Sequence, residues 1–146
     1  MRQHEIPFGM VIGELMRPYM KQLKKRISES GLDITFEQLG LLHAISTKMD
    51  DVFQQDMADM LCKNKSGILR FTDILEAKRY VVRSHDPNDR RKNILSVTTK
   101  GHEVLEKVMG IDFAMAESFT EGIECADMDA FYRVIEAIKI KMEEQD

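Results

Sequence analysis

The chain has 146 residues, 43% of them hydrophobic and 32% charged, and a net charge of −4; this is enough to bury a core in one domain and is ordinary for a helix-rich globular protein. No apolar run reaches the roughly 18 residues of a membrane span, and Met1-Arg2-Gln3-His4-Glu5 lacks the apolar stretch of a secretion signal, which points to a cytoplasmic protein.

Phe8, Ile12, Leu15, Tyr19, Leu23 and Ile27 recur at three- and four-residue steps and predict a helix over about 8–28. Pro18 predicts a kink in it and Gly31 a stop. Thr35, with Gln38 three residues on, is a capping box for a second helix facing inward with Phe36, Leu39, Leu42 and Ile45. A short helix is expected from Phe53 to Leu61, with Met57, Ala58 and Leu61 inward. Asn64 then caps a helix to about Lys78 that buries Ile68, Phe71, Ile74 and Leu75. Two helices joined so tightly form a helix-turn-helix over about 53–78.

Tyr80–Arg83 and Ile94–Val97 read as paired strands, a wing over about 80–97, around the turn Asp86-Pro87-Asn88-Asp89-Arg90-Arg91-Lys92. Thr98 or Thr99 caps a long helix to about Phe119 with Val104, Val108, Ile111, Met115 and Phe119 on its stripe. A break at Glu121-Gly122 precedes a last helix from about Asp127. The fold class is mainly α with a small β part: a winged helix-turn-helix within one domain, flanked by helices over about 8–28 and 99–144.

Charge is concentrated in this centre. Residues 63–92 carry nine Lys/Arg against four Asp/Glu, a local +5, so the other 116 residues sum to −9. A confined cationic patch on a helix-turn-helix suits a duplex with its dense line of phosphates. Lys63, Asn64, Lys65, Ser66 and Arg70 lie at the start of the second helix. Arg70 is the candidate for a bidentate guanine contact, and Lys63, Lys65 and Ser66 for phosphates. Gly67 either permits close approach to DNA or is a neutral surface choice. In the wing, Arg90 is placed to enter a minor groove, with Lys92 beside it, while Arg91 is expected to pair with Asp89 or Asp86.

The same residues resemble the MarR family of bacterial transcription regulators. Asp89-x-Arg91, five residues, then Val97-Thr98-x-x-Gly101 is similar to that family's wing-to-helix signature, with Val97 where Leu is usual. Met57-Ala58-x-x-Leu61 and Lys65-Ser66-x-Ile68-x-Arg70 resemble its two helix-turn-helix segments. Three departures stand out: Cys62 where Gly is frequent, Leu69 in place of Ser/Thr, and Arg79-Tyr80 in place of Gly-Leu. The resemblance implies a winged-helix homodimer on a pseudo-palindromic DNA operator, a repressor released by a small molecule or an oxidant. An inducer site is then expected between dimer core and winged lobe, lined by Ile12, Met16, Leu39, His43, Val108, Ile111 and Met115, with His43 the polar exception.

Other chemistry finds little support. His102-Glu103 has Glu106 where a zinc-protease helix needs a second His. No phosphate loop and no nucleophile elbow occur, and His4, His43, His85 and His102 share no ligand spacing, so neither an enzyme, a metal nor a cofactor is expected. Two cysteines are too few for a disulfide framework. Cys62, beside Lys63 at a helix start, is the candidate for a redox-sensing alternative, and Cys125 is read as inert. A winged protein-interaction module without DNA binding is the other alternative. The eleven methionines are read mainly as core filler, with a malleable pocket as the second reading.

Overall fold

Helix α1 spans Phe8–Glu29 in the computed structural model, which describes residues 6–48, 51–54, 56–57 and 64–145. Leu23 and Ile27 of its stripe are buried, and the helix runs on through Pro18. Gly31, with φ of 76°, takes the left-handed conformation that ends the segment. The first half of α1 differs: Phe8, Met10, Val11, Leu15 and Met16 remain 42–58% exposed.

Helix α2 (Phe36–Thr47) opens on the complete capping box. Thr35 Oγ1 accepts from the Gln38 N–H and Gln38 Oε1 accepts from the Thr35 N–H, each at 3.3 Å. Beyond the expected Leu39, Leu42 and Ile45, the helix also buries Gln38, Leu41 and Ala44, more than half of its circumference. His43 is exposed. It faces solvent one turn beyond Leu39, outside the buried arc of α2.

Strand β1 is only Val52–Phe53, and Val52 and Phe53 pair antiparallel with Leu95 and Ile94 of β3 (Asn93–Val97). Strand β2 (Val81–His85) lies on the other side of β3, giving the order β1-β3-β2. The expected helix start at Phe53 is corrected to Gln54, which is helical with Asp56 and Met57. A two-residue strand has no alternation to read, because only its partner across the sheet defines it. Met57 is fully buried. Ala58, Met60, Leu61, Cys62 and Lys63 lie outside the described residues, as does His4.

Helix α3 (Lys65–Ala77) follows, burying Ile68, Thr72 and Leu75; Phe71 and Ile74 are half-buried. The Thr72 hydroxyl escapes a desolvation cost by donating to the Ile68 carbonyl at 2.8 Å. Helix α4 (Thr99–Thr120) and helix α5 (Cys125–Glu143) complete the chain.

Two compact units divide these elements, residues 1–112 and 113–146. In the first, Val104, Leu105 and Val108 of α4 are buried, and the Tyr19 hydroxyl of α1 donates to Asp112 Oδ1 at 2.5 Å. In the second, Gly122 (φ 83°) breaks the helix and α5 begins at Cys125, two residues before the expected Asp127. Met115 is fully buried, yet no residue of α5 is, and Phe113, Tyr132 and Val134 are 57–70% exposed. No helix among the described residues is long and apolar enough to cross a membrane.

Candidate nucleic-acid interface

Asn64 fixes where α3 begins. Its Oδ1 accepts from the Gly67 N–H at 2.7 Å and from the Ser66 hydroxyl at 3.0 Å, satisfying one of the unpaired amides of the first turn. A Cβ on Gly67 would stand 2.8 Å from that same oxygen. The glycine thus accommodates the cap, a role neither sequence reading gave it. Lys65, Ser66, Leu69, Arg70 and Asp73 are exposed along one face of the helix. Lys65 has no side-chain partner among the described residues, and the Arg70 guanidinium lies 5.4 Å from the Phe71 ring centroid.

Arg83, which sequence reading passed over, organises this face. From β2 its NH2 donates to Asp73 Oδ1 and its NH1 to Glu76 Oε2, both at 2.6 Å, while Nε donates to Gln54 Oε1 at 3.0 Å. The side chain is only 19% exposed. One guanidinium therefore ties the sheet, helix α3 and the start of the preceding helical segment. It also neutralises the two acids of α3 that would repel phosphates, and it engages Asp73, which stands one helical turn from Arg70. Asp73, Glu76 and Arg83 at intervals of three and seven residues were the available signal, but only the fold brings the seventh residue back alongside.

The end of α3 is equally specific. The Tyr80 N–H donates to the Leu75 carbonyl and the Arg79 N–H to the Glu76 carbonyl, both at 2.9 Å, with Arg79 left-handed at φ 62°. This is a Schellman motif, with arginine where glycine is preferred. Thr98 then locks wing to helix: its hydroxyl donates to the Arg79 carbonyl at 2.6 Å and accepts from the Gly101 N–H at 3.1 Å. A Cβ on Gly101 would stand 2.3 Å from the Tyr80 carbonyl oxygen. Thr98 and Gly101 are thus matched to the backbone leaving α3, which gives the Thr-x-x-Gly pattern a packing reason. Lys100 covers the joint, donating to the Lys78 carbonyl at 3.0 Å with its ammonium 5.1 Å from the Tyr80 ring centroid.

The wing turn is held by its own aspartates. Asp86 Oδ1 accepts from the Asn88 N–H at 2.7 Å; Asp89 Oδ1 accepts from the Arg91 N–H at 3.1 Å and from Arg91 Nε at 3.2 Å. The Arg91 backbone amide, and then its side chain, hold the Asp89 carboxyl below its usual value. Arg91 keeps 92% of its side chain exposed while paired. Arg90 is exposed at the tip with no side-chain partner among the described residues. The Lys92 ammonium sits 5.4 Å from the Phe53 ring centroid.

Of the residues expected to line an inducer site, Leu39 and Val108 are buried, Ile12 and Ile111 half-buried, and Met16 and His43 exposed; Met115, in the second unit, is buried. A cleft of about 200 Å³ opens elsewhere, along Ile45, Lys48, Val52, Leu95 and His102, and includes none of them. Among the described residues no three His, Cys, Asp or Glu could hold a metal. Cys125 is free and exposed.

Helix α3 packed beside a small antiparallel sheet, with exposed cations on the helix and on the β2–β3 hairpin, defines a winged-helix protein. Residues 34–92 match the family model described as the MarR family. The chain is 22% identical over 120 residues to the transcriptional regulator HosA of Escherichia coli O111:H-, covering 82% of this chain and 88% of that protein. It is similar in structure to a cysteine-to-serine mutant of MarR from E. coli, with a TM-score of 0.78, 22% identity and coverage of 91% and 96%. The same mutant complexed with operator DNA gives 0.67, 21%, 92% and 95%. The transcriptional regulator Tm0710 from Thermotoga maritima gives 0.73, 27%, 95% and 96%.

Proposed function

We propose that the chain is a cytoplasmic, sequence-specific DNA-binding transcription regulator that represses as a homodimer on a pseudo-palindromic operator. The observation that carries this reading is the distribution of cations: Lys65, Arg70, Arg90 and Arg91 are exposed on α3 and the wing tip, while the acids of α3 are held by Arg83. In this reading Arg70 reads a guanine, Lys65 and the α3 N-terminus set register on phosphates, and Arg90 enters a minor groove.

The occupant of the exposed apolar faces is a second copy. Phe8, Met10 and Leu15 on α1, and Phe113, Tyr132 and Val134 in the second unit, exceed the scattered apolar exposure of a monomer. A two-fold dimer sets two recognition helices about 34 Å apart, one DNA turn. A small-molecule inducer releases the operator in this reading; release by candidate aromatic acids is compared in wild type and Met16→Trp, and equal release in both rejects Met16 as part of the site.

The test is binding to duplexes selected from genomic fragments, measured from low to high salt. With Lys65 and Arg91 at phosphates and Arg90 in the minor groove each displacing a counterion in both protomers, log K against log salt should fall with a slope of about −5. Arg70→Ala should relax sequence preference, whereas Lys65→Ala should weaken all duplexes alike. Salt-independent binding, or a monomer by sedimentation at micromolar concentration, overturns the reading.

A further inference from the structure

We propose that Leu69 is a specificity-determining residue that reads the 5-methyl group of a thymine in the major groove. The proposal rests on the DNA-binding reading above and deepens it.

Helix α3 has its core contacts on Ile68, Thr72 and Leu75. Leu69 lies outside that arc and is 47% exposed. It shares the outward face with Ser66, Arg70 and Asp73, roughly 60° around the axis from Ser66 and 100° from Arg70. The polar members of this face are partly engaged: the Ser66 hydroxyl donates to Asn64, and Asp73 is held by Arg83. Leu69 is the apolar member, placed within the first two turns beside the guanine-reading candidate.

Major-groove edges present donors, acceptors and one apolar group, the thymine methyl. A leucine in the groove has no hydrogen bond to give, and over a cytosine or guanine edge it would bury polar atoms without repayment. Opposite a thymine methyl it removes apolar surface from water on both partners. Leu69 thus selects for thymine beside the base pair read by Arg70, and against the other bases by leaving their edges unsatisfied.

The experiment is a uracil scan. A bound duplex is first selected with the wild-type protein, and each thymine is replaced singly by deoxyuridine, which removes only the methyl group. One thymine per half-site should lose affinity about fourfold on replacement, the factor for one methyl-sized group withdrawn from water. Replacing both symmetric thymines should cost roughly fifteenfold, and in Leu69→Ala the same replacements should change affinity by less than twofold. A scan that is flat in wild type overturns the proposal while leaving DNA binding intact. So does a position whose loss is equal in wild type and Leu69→Ala. Absence of any salt-sensitive duplex binding overturns the DNA reading, and the Leu69 proposal with it. Because Leu69 is exposed, Leu69→Ala folds, and the wild-type arm stands without it.

Discussion

Arg83→Ala should weaken the winged unit more than any other single loss of charge in it. The guanidinium makes two charge-assisted contacts at 2.6 Å and one at 3.0 Å, to three side chains on two different segments. Fully buried, each charged hydrogen bond would contribute about 1.5–3 kcal/mol. The Asp73 and Glu76 side chains are 57% and 39% exposed, and solvent screening brings each ion pair down to about 0.5–1 kcal/mol. With the Gln54 bond and the packed stem, the substitution should cost roughly 2–3 kcal/mol. It also leaves two carboxylates one helical turn apart, which repel by a few tenths of a kcal/mol. Urea unfolding at fixed protein concentration measures the loss, and a cycle with Glu76→Gln isolates the pair at about 1 kcal/mol. Arg83→Lys keeps the charge but not the fork and should recover less than half of the stability. On operator DNA, Arg83→Ala should bind more weakly at low salt and approach wild type as salt rises, because the freed acids repel phosphates. A coupling below about 0.3 kcal/mol, or full rescue by lysine, would refute the latch.

Three further outcomes are expected. Gly101→Ala sets a methyl against the Tyr80 carbonyl oxygen and should destabilise by about 3 kcal/mol or more, read by thermal unfolding. Arg79→Gly relieves a left-handed arginine and should raise stability by about 1 kcal/mol, provided the Schellman bonds persist. The Asp89 carboxyl is held low by the Arg91 amide and then the Arg91 side chain. Its folded value lies below its unfolded one, so its contribution to the wing turn is complete above the unfolded value and is lost only as pH falls through the folded one. Carboxyl NMR should show this depression, and Arg91→Ala should shrink it without abolishing it, because the backbone donor remains.

What was legible in the sequence was local. The Thr35–Gln38 box, the Asn64 cap, the Thr98 cap and the Asp89–Arg91 contact each join residues two or three apart, and all four stand in the structure. Apolar periodicity placed α1, α3 and α4 for the same reason. β1 was missed because two residues carry no period and only Ile94 and Leu95 make them a strand. His43 was misplaced because spacing alone does not reveal which side of a mostly buried helix meets water. Arg83 read as one of many cations, because its partners on α3 become neighbours only after the chain reverses between α3 and β2.

That last omission changes the meaning of the local +5. Lys78 is tied to Asp33 at 2.8 Å and to Gln38 at 3.3 Å, so it fastens α3 to the loop before α2. Arg83 fastens α3 to the sheet, Lys92 lies on Phe53, and Arg91 is shared with Asp89. A count of charges therefore mixes cations that hold the recognition helix in place with cations left for a ligand. Among the described cations of residues 63–92, Lys65, Arg79 and Arg90 are those without a side-chain partner, and two of the three fall on the α3 start and the wing tip. The two roles depend on each other: a phosphate contact from Lys65 has a defined geometry only because Arg83 and Lys78 hold α3 at both the sheet and the α2 side. Affinity should thus respond to the exposed cations, and selectivity to the latched ones as well, since an α3 free to tilt would let Arg70 and Leu69 meet more than one base pair.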